Sequence, residues 1–485
     1  MELKNKKITM LELLFVSMAG IFPMAWIIAN SGAAVTYAGF AAPLVPVVGG
    51  VFILLVTLPI LEYSRYTKFA GGYYGLAELG FGKAAGKFVA VENLAYYVIM
   101  MLANGNAIPF FLSSSIYYLT GYLIPVYLYI FLALMLDFIA FLVTVFNFKL
   151  VTKVILAAVS IEIIVAVIVS AVTVLKTPYN SAAAFSFSSL SSGTSGLFLG
   201  VAVAGFLYYT TYGTPLFFSE ETKRHTDIWK SIVLSVTLMT ALGIFAIYAE
   251  VAGLGISQIS SLPSDWNPGV IAMGPYIGHL GVVILVSVAI FGAALPTLLV
   301  GLGGSRVLYA MGRDQFFSKK TNEFLTRLNP KYNTPGSAAI LILVVTMVLI
   351  AIQDLLLIYF YGAFNGFVYA FLFPASIGTA LWFIHHAVPQ FAMQGVYRKQ
   401  LKQSLMKPRN LLIGVLAPLF GSALFVYSFY EGYSSLPEPF FAGLVLVLLI
   451  TVASILIVVV KHRNKSLGNS FISSEDLSTL EVASK

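Results

Sequence analysis

The sequence predicts an all-α membrane protein of about twelve spans, from its composition, its apolar run lengths and the charge of its connections. Of 485 residues, 59% are hydrophobic and only 10% charged, and the mean hydropathy is +0.91. A soluble surface needs roughly 25% charged residues, so lipid must solvate much of this chain. Apolar runs fall near 10–35, 41–61, 88–116, 125–147, 150–175, 194–218, 228–254, 281–310, 336–353, 355–384, 410–430 and 437–460. Each is near or above the ~20 residues that cross a bilayer at about 1.5 Å per residue.

The connections alternate in charge. Lys4, Lys6 and Lys7 precede the first run, and Arg65, Lys68, Lys83 and Lys87 separate the second and third. Lys149 and Lys153 follow the fourth, and Lys223, Arg224 and Lys230 the sixth. Arg313, Lys319 and Lys320 follow the eighth, Arg398, Lys399 and Lys402 the tenth, and Lys461, Arg463 and Lys465 the last. The intervening connections hold almost no Lys or Arg, Lys176 being the main exception. This positive-inside pattern places the chain in the cell membrane with both termini, 1–9 and 466–485, cytoplasmic. The tail 466–485 lacks apolar periodicity and is expected to be disordered. The formal charge of +8 therefore records orientation and does not point to nucleic acid. The first run is longer than a signal-peptide core and reads as a retained helix.

Several chemistries are excluded. The chain has no cysteine, hence no disulfide, thiolate metal site or cysteine nucleophile. His385 and His386 are adjacent, and neighbours on a helix point apart, so the pair is a poor metal site. No P-loop or nucleophile–base arrangement is present, so neither an enzyme nor a cofactor is expected.

Helices 1 and 6 have unusual centres. The first reads Val16-Ser17-Met18-Ala19-Gly20-Ile21-Phe22-Pro23. Gly20 lowers helix propensity, and Pro23 lacks an N–H and crowds the Ala19 carbonyl. The sixth reads Tyr208-Tyr209-Thr210-Thr211-Tyr212-Gly213-Thr214-Pro215. Backbone freed at mid-membrane must bond to something other than lipid, and paired discontinuous helices point to a solute site near the midplane. Singly, each reads more readily as a proline kink. Together they stand five crossings apart in the chain, an odd number, and so run in opposite directions. That fits an inverted repeat, helices 1–5 (10–175) against 6–10 (194–384), with helices 11 and 12 (409–460) added.

At these segments the chain resembles the amino acid–polyamine–organocation transporter superfamily. Met18-Ala19-Gly20-Ile21-Phe22 resembles that superfamily's Gly-Ser-Gly-Ile-Phe break, with Met18 in place of its first glycine. Glu62-Tyr63-Ser64-Arg65, Gly71-Gly72-Tyr73-Tyr74 and Phe81-Gly82 resemble the loop after helix 2. Gly213 through Ser219-Glu220-Glu221-Thr222-Lys223 resembles the end of helix 6, with His225 standing in for a proline and Thr211 for a glycine. Ser305 through Asp314, followed by Thr334-Pro335, resembles the segment after helix 8.

The resemblance implies a permease with the leucine-transporter-type fold, moving an amino acid by alternating access. The N–H groups of Ala19 and Gly20 would face the substrate carboxylate, and the carbonyls of Val16 and Thr210 its ammonium. Tyr208, Tyr209, Thr211, Tyr212 and Gly213 would form the pocket wall or gate. Tyr97, Met101 and Asn104 share a face of helix 3 that would complete the pocket or serve plain packing.

Glu12, Glu62, Glu250 and Arg306 read as span-end charges that reach water. Glu162 and Asp137 sit mid-span. An ionised side chain there costs at least about 2.5–3.5 kcal/mol, so each should be neutral, paired or in a wet cavity. Helix 5 of the superfamily packs beside the helix 1 break, so the resemblance makes Glu162 a candidate coupling residue, with Asp137 second. The coupling ion is a proton or sodium, and a helix 6 break without an acid favours a neutral amino acid over a cationic one or a polyamine. An exchanger, a channel and a receptor are the other readings, and oligomeric state is open.

Overall fold

A computed structural model describes residues 8–64, 71–145, 148–209, 211–264, 267–434 and 438–469. Lys4, Lys6, Lys7, Arg65, Lys68, Thr210 and most of the tail expected to be disordered lie outside the described residues. Among those described, eleven helices are long and apolar enough to cross a membrane. They are α1 (Met10–Ile28), α2 (Leu44–Tyr63), α3 (Lys83–Thr120), α4 (Val126–Val145), α5 (Val151–Lys176), α6 (Gly193–Glu221), α7 (Thr226–Leu254), α8 (Pro268–Arg313), a stretch Gly336–Gln400, and the last two, Pro408–Tyr430 and Phe441–Arg463. The 65-residue stretch would be about 100 Å long if straight, over three times the ~30 Å hydrocarbon core. It turns at Gly362 (φ 75°, ψ 167°), a conformation glycine adopts without a Cβ clash. It thus supplies α9 (336–361) and α10 (363–400), making Pro408–Tyr430 α11 and Phe441–Arg463 α12. The sequence had suggested a boundary at Asp354. That residue is inside α9 and fully buried, accepting a bond from Asn106 Nδ2 at 3.1 Å.

Local chemistry explains the ends and interruptions. Thr9 caps α1: its Oγ1 accepts from Glu12 N at 3.3 Å, and its own N–H donates to Glu12 Oε2 at 2.8 Å. The first half of α1 ends at Ile21, and Phe22 takes φ 59°, ψ 88° ahead of Pro23. Helix resumes at Ala25 and continues through Ala38. In α6 regular helix stops at Tyr209 and a 3-10 segment, Thr214–Glu221, carries the chain on. Both interruptions therefore exist. The one in α1 falls two residues later than Gly20, because Pro23, which cannot donate, rather than Gly20 sets it.

Helix α1 is central: 83% of its most apolar stretch is buried within the protein, against 22% for α12, which faces lipid. It packs on α5, α7 and α8, while α3 packs on α8. The midpoints of α1 and α6 thus meet inside the bundle.

Candidate functional site

The interruptions of α1 and α6 touch. Thr211 Oγ1 donates to the Gly20 carbonyl. A Cβ on Gly20 would lie 2.7 Å from the Thr211 carbonyl oxygen, so only glycine permits this approach. Just before the break, Ser17 Oγ donates to the Tyr212 carbonyl at 2.7 Å and meets Ser235 Oγ of α7 at 2.6 Å.

Beside this contact lies a cavity of about 50 Å³, measured at the centres of water-sized spheres. One water needs roughly 10–15 Å³ on that measure, so the space suits a solute of only a few heavy atoms. Gly20, Phe22 and Asn30 of α1, Asn104 and Phe111 of α3, Tyr208 and Thr211 of α6, Pro296 of α8 and Phe371 of α10 line it. Among the described residues no Lys, Arg, His, Asp or Glu does so. Asn104 Nδ2 and Tyr208 Oη are buried with no hydrogen-bond partner among the described residues. A buried, unsatisfied donor costs about 1–3 kcal/mol, which a bound polar group would relieve.

Of the residues expected at the site, Gly20, Asn104, Tyr208 and Thr211 line this cavity. Val16 and Ala19 are fully buried inside the first half of α1, and the Ala19 and Gly20 amides fall within its helical run. Tyr209 turns to α7, its hydroxyl 2.6 Å from Thr240 Oγ1. The Tyr212 hydroxyl lies 2.7 Å from Thr57 Oγ1 of α2. Gly213 packs against the Tyr73 hydroxyl. Tyr97 faces Phe217 and Gly303 instead of the cavity, and its neighbour Met100 lines the wall. Thr210 lies outside the described residues. Sequence reasoning missed Asn30, Phe111, Pro296 and Phe371, which share no spacing that marks them.

A family model described as amino acid permease matches residues 8–465. The chain belongs to the amino acid permease family. It is a multi-pass membrane transporter of amino acids, not an enzyme. A search among curated proteins finds no match.

In this permease the motif stretches at the ends of α6 and α8 are joined by ion pairs. Arg306 Nη2 meets Glu221 Oε1 at 2.6 Å, and its guanidinium lies 4.1 Å over the Phe218 ring. Arg313 grips Glu220 with both nitrogens, at 2.8 and 3.3 Å. The chain entering α1 adds a bridge: Ile8 N donates to Glu221 O at 3.2 Å, and Lys223 N to Ile8 O at 3.3 Å. Alongside, buried Lys87 binds Asp314 and also Glu78, at 3.4 Å, on the short helix Tyr73–Phe81. Burial pushes the Asp314 carboxyl above its usual value, and the Lys87 ammonium opposes that shift. At the Lys- and Arg-rich end, then, the backbone entering α1 and side chains of α3, α6, α8 and the residue after it are tied together. Arg306 and Glu62, read as span-end charges, are paired and buried, Glu62 with Arg409 at 2.8 Å.

Glu162 lies one layer behind the cavity. Its carboxyl packs against Gly292 of α8 and within reach of the Met24 backbone amide, which Pro23 leaves at the α1 break. Neither oxygen makes a hydrogen bond of normal geometry among the described residues. Asp137 is elsewhere, accepting from Thr346 Oγ1 of α9 at 2.5 Å.

Proposed function

We propose that the permease carries a small neutral amino acid through the α1–α6 cavity, with a proton carried on Glu162. The observation that carries the substrate reading is a cavity wall without a charged side chain, whose spare polar atoms are Asn104 Nδ2 and Tyr208 Oη. A buried second ammonium, as in a cationic amino acid or polyamine, would need a carboxylate or several carbonyls there. Gly20, Asn104, Tyr208 and Thr211 contact the substrate. The Val16 and Ala19 backbone, with Tyr209, Thr211, Tyr212 and Gly213, holds and gates the two breaks. The helix start after Pro23 favours an anion, which suits the substrate carboxylate.

Orientation follows the positive-inside rule, with both termini and the ion-paired end cytoplasmic in the cell membrane. The two five-helix halves then rock about the cavity, and breaking the α6–α8 ion pairs opens the inner side. Glu162 supports the coupling reading because it joins the α1 break to α5 and α8 and has no cation partner among the described residues. It is stable when protonated and enclosed, and releases its proton when water enters, which biases the conformational equilibrium.

Uptake into proteoliposomes with a panel of labelled amino acids tests both parts, under imposed proton or sodium gradients. Alanine-sized neutral amino acids should compete best, with accumulation following the proton gradient. Stronger competition by arginine or putrescine would overturn the substrate reading, and a sodium requirement the coupling reading.

A further inference from the structure

We propose that Glu250 is a second proton-binding carboxylate of the permease, linked to Glu162 along the second half of α1. The inference rests on the reading of Glu162 as the proton carrier. Glu250 stands one turn from the end of α7 at Leu254, where a charged residue ordinarily reaches water, yet it is fully buried. Beside it is Ser31 of α1. The Ser31 hydroxyl faces the Glu250 carboxyl, and neither group makes a hydrogen bond of full geometry among the described residues. Ser170 of α5 shares a buried face with Glu162, and its hydroxyl is likewise unpartnered. Two buried carboxylates, Glu162 beside Met24 and Glu250 beside Ser31, thus mark the two ends of one stretch of α1.

The charged groups around Glu250 are engaged elsewhere. Lys176 donates to the Tyr276 carbonyl at 2.8 Å, and the Tyr276 hydroxyl to Gly253 O at 2.8 Å. The Tyr248 hydroxyl bonds Asn180 Oδ1 at 3.1 Å, and Tyr179 packs on Gly255. His279 is exposed, and Glu12 and Glu62 are at the opposite ends of α1 and α2. With no cation in contact among the described residues, an enclosed carboxylate is stable when it holds a proton. Met24 and Ser31 are about 10 Å apart along the helix, too far for one transfer. In this relay the Ser31 hydroxyl, which faces Glu250, is the first intermediate step. Glu250 takes the proton at the end away from the basic connections and passes it toward Glu162 at the α1 break.

The test uses the full-length protein in proteoliposomes with labelled alanine and a trapped pH dye. In Glu250→Gln, counterflow exchange should stay within about twofold, while accumulation and proton uptake driven by a pH gradient fall at least ~10-fold. Wild-type accumulation and proton uptake in this variant would overturn the proposal. Glu162→Gln, measured alongside, separates the two claims. If it loses driven accumulation and Glu250→Gln does not, only the relay falls; if neither does, both fall. Ser31→Ala removes no acid and should slow proton uptake by about threefold with exchange unchanged. Undiminished uptake in Ser31→Ala counts against the relay even where Glu250→Gln fails to fold.

Discussion

Enlarging Gly20 by one methyl group should weaken substrate binding more than it weakens the fold. In Gly20→Ala the new Cβ would sit 2.7 Å from the Thr211 carbonyl oxygen and 3.0 Å from its hydroxyl. A relaxed carbon–oxygen approach is about 3.3 Å or more, so the backbones of α1 and α6 must separate by roughly 0.6 Å. Overpacking of this kind costs about 1–3 kcal/mol. Losing the bond from Thr211 Oγ1 to the Gly20 carbonyl adds about 0.5–1.5 kcal/mol. Since 1.4 kcal/mol is tenfold in affinity, Gly20→Ala should weaken binding by about 10- to 1,000-fold where the bound state needs the two breaks in register. Gly20→Val should abolish it. The assay is equilibrium binding of a labelled neutral amino acid to purified protein, with size-exclusion behaviour as the folding check. Gly336→Ala is the control, since a Cβ there meets nothing within 4 Å. Wild-type affinity in a folded Gly20→Val protein would remove this contact from the site.

Three further outcomes follow from the same geometry. Glu162→Gln keeps the shape of the protonated side chain but cannot release its proton; it should abolish pH-driven accumulation and retain substrate binding, and a mutant that still concentrates substrate under a pH gradient would exclude Glu162 as carrier. The Arg313–Glu220 pair is bidentate and mostly buried, so a double-mutant cycle on thermal stability should give a coupling of about 0.5–3 kcal/mol, whereas additive single mutants would show that the pair does not hold the end closed. Because the chain has no cysteine, single cysteines report topology cleanly: an impermeant external reagent should label Tyr122→Cys and spare Lys320→Cys in intact cells, and external labelling of the latter would invert the assigned orientation.

The parts of this permease legible in one dimension are those whose cause is local. Pro23 and Pro215 remove backbone donors wherever the chain goes, so both interruptions could be read from the residues alone. Their positions shifted only where a neighbour decided the matter, as Phe22 does by taking the left-handed conformation. Charge was misleading as position. Asp354 looked like a boundary and is a buried acceptor, because Asn106, 248 residues away in sequence, supplies its donor. Glu250 looked like a span end reaching water, and the second half of α1 covers it. Glu92 attracted no notice, yet it is fully buried beside Ser454 and Thr451 of α12.

The cavity wall shows the same division. Tyr208 and Thr211 were found because they lie in a visible break, whereas Asn30, Phe111 and Phe371 come from three helices and converge only after packing. The ion-paired end is the intermediate case. Glu220-Glu221 and Arg306 through Arg313 were each visible as motif, but that the acids of one meet the cations of the other depends on α6 and α8 ending at the same depth. Removing one member of a buried ion pair leaves the other uncompensated, at a cost of about 3–5 kcal/mol. That makes the paired residues constraints on one closed state, and it leaves the unpartnered ones, Glu162 and Glu250, as the groups whose protonation can differ between states.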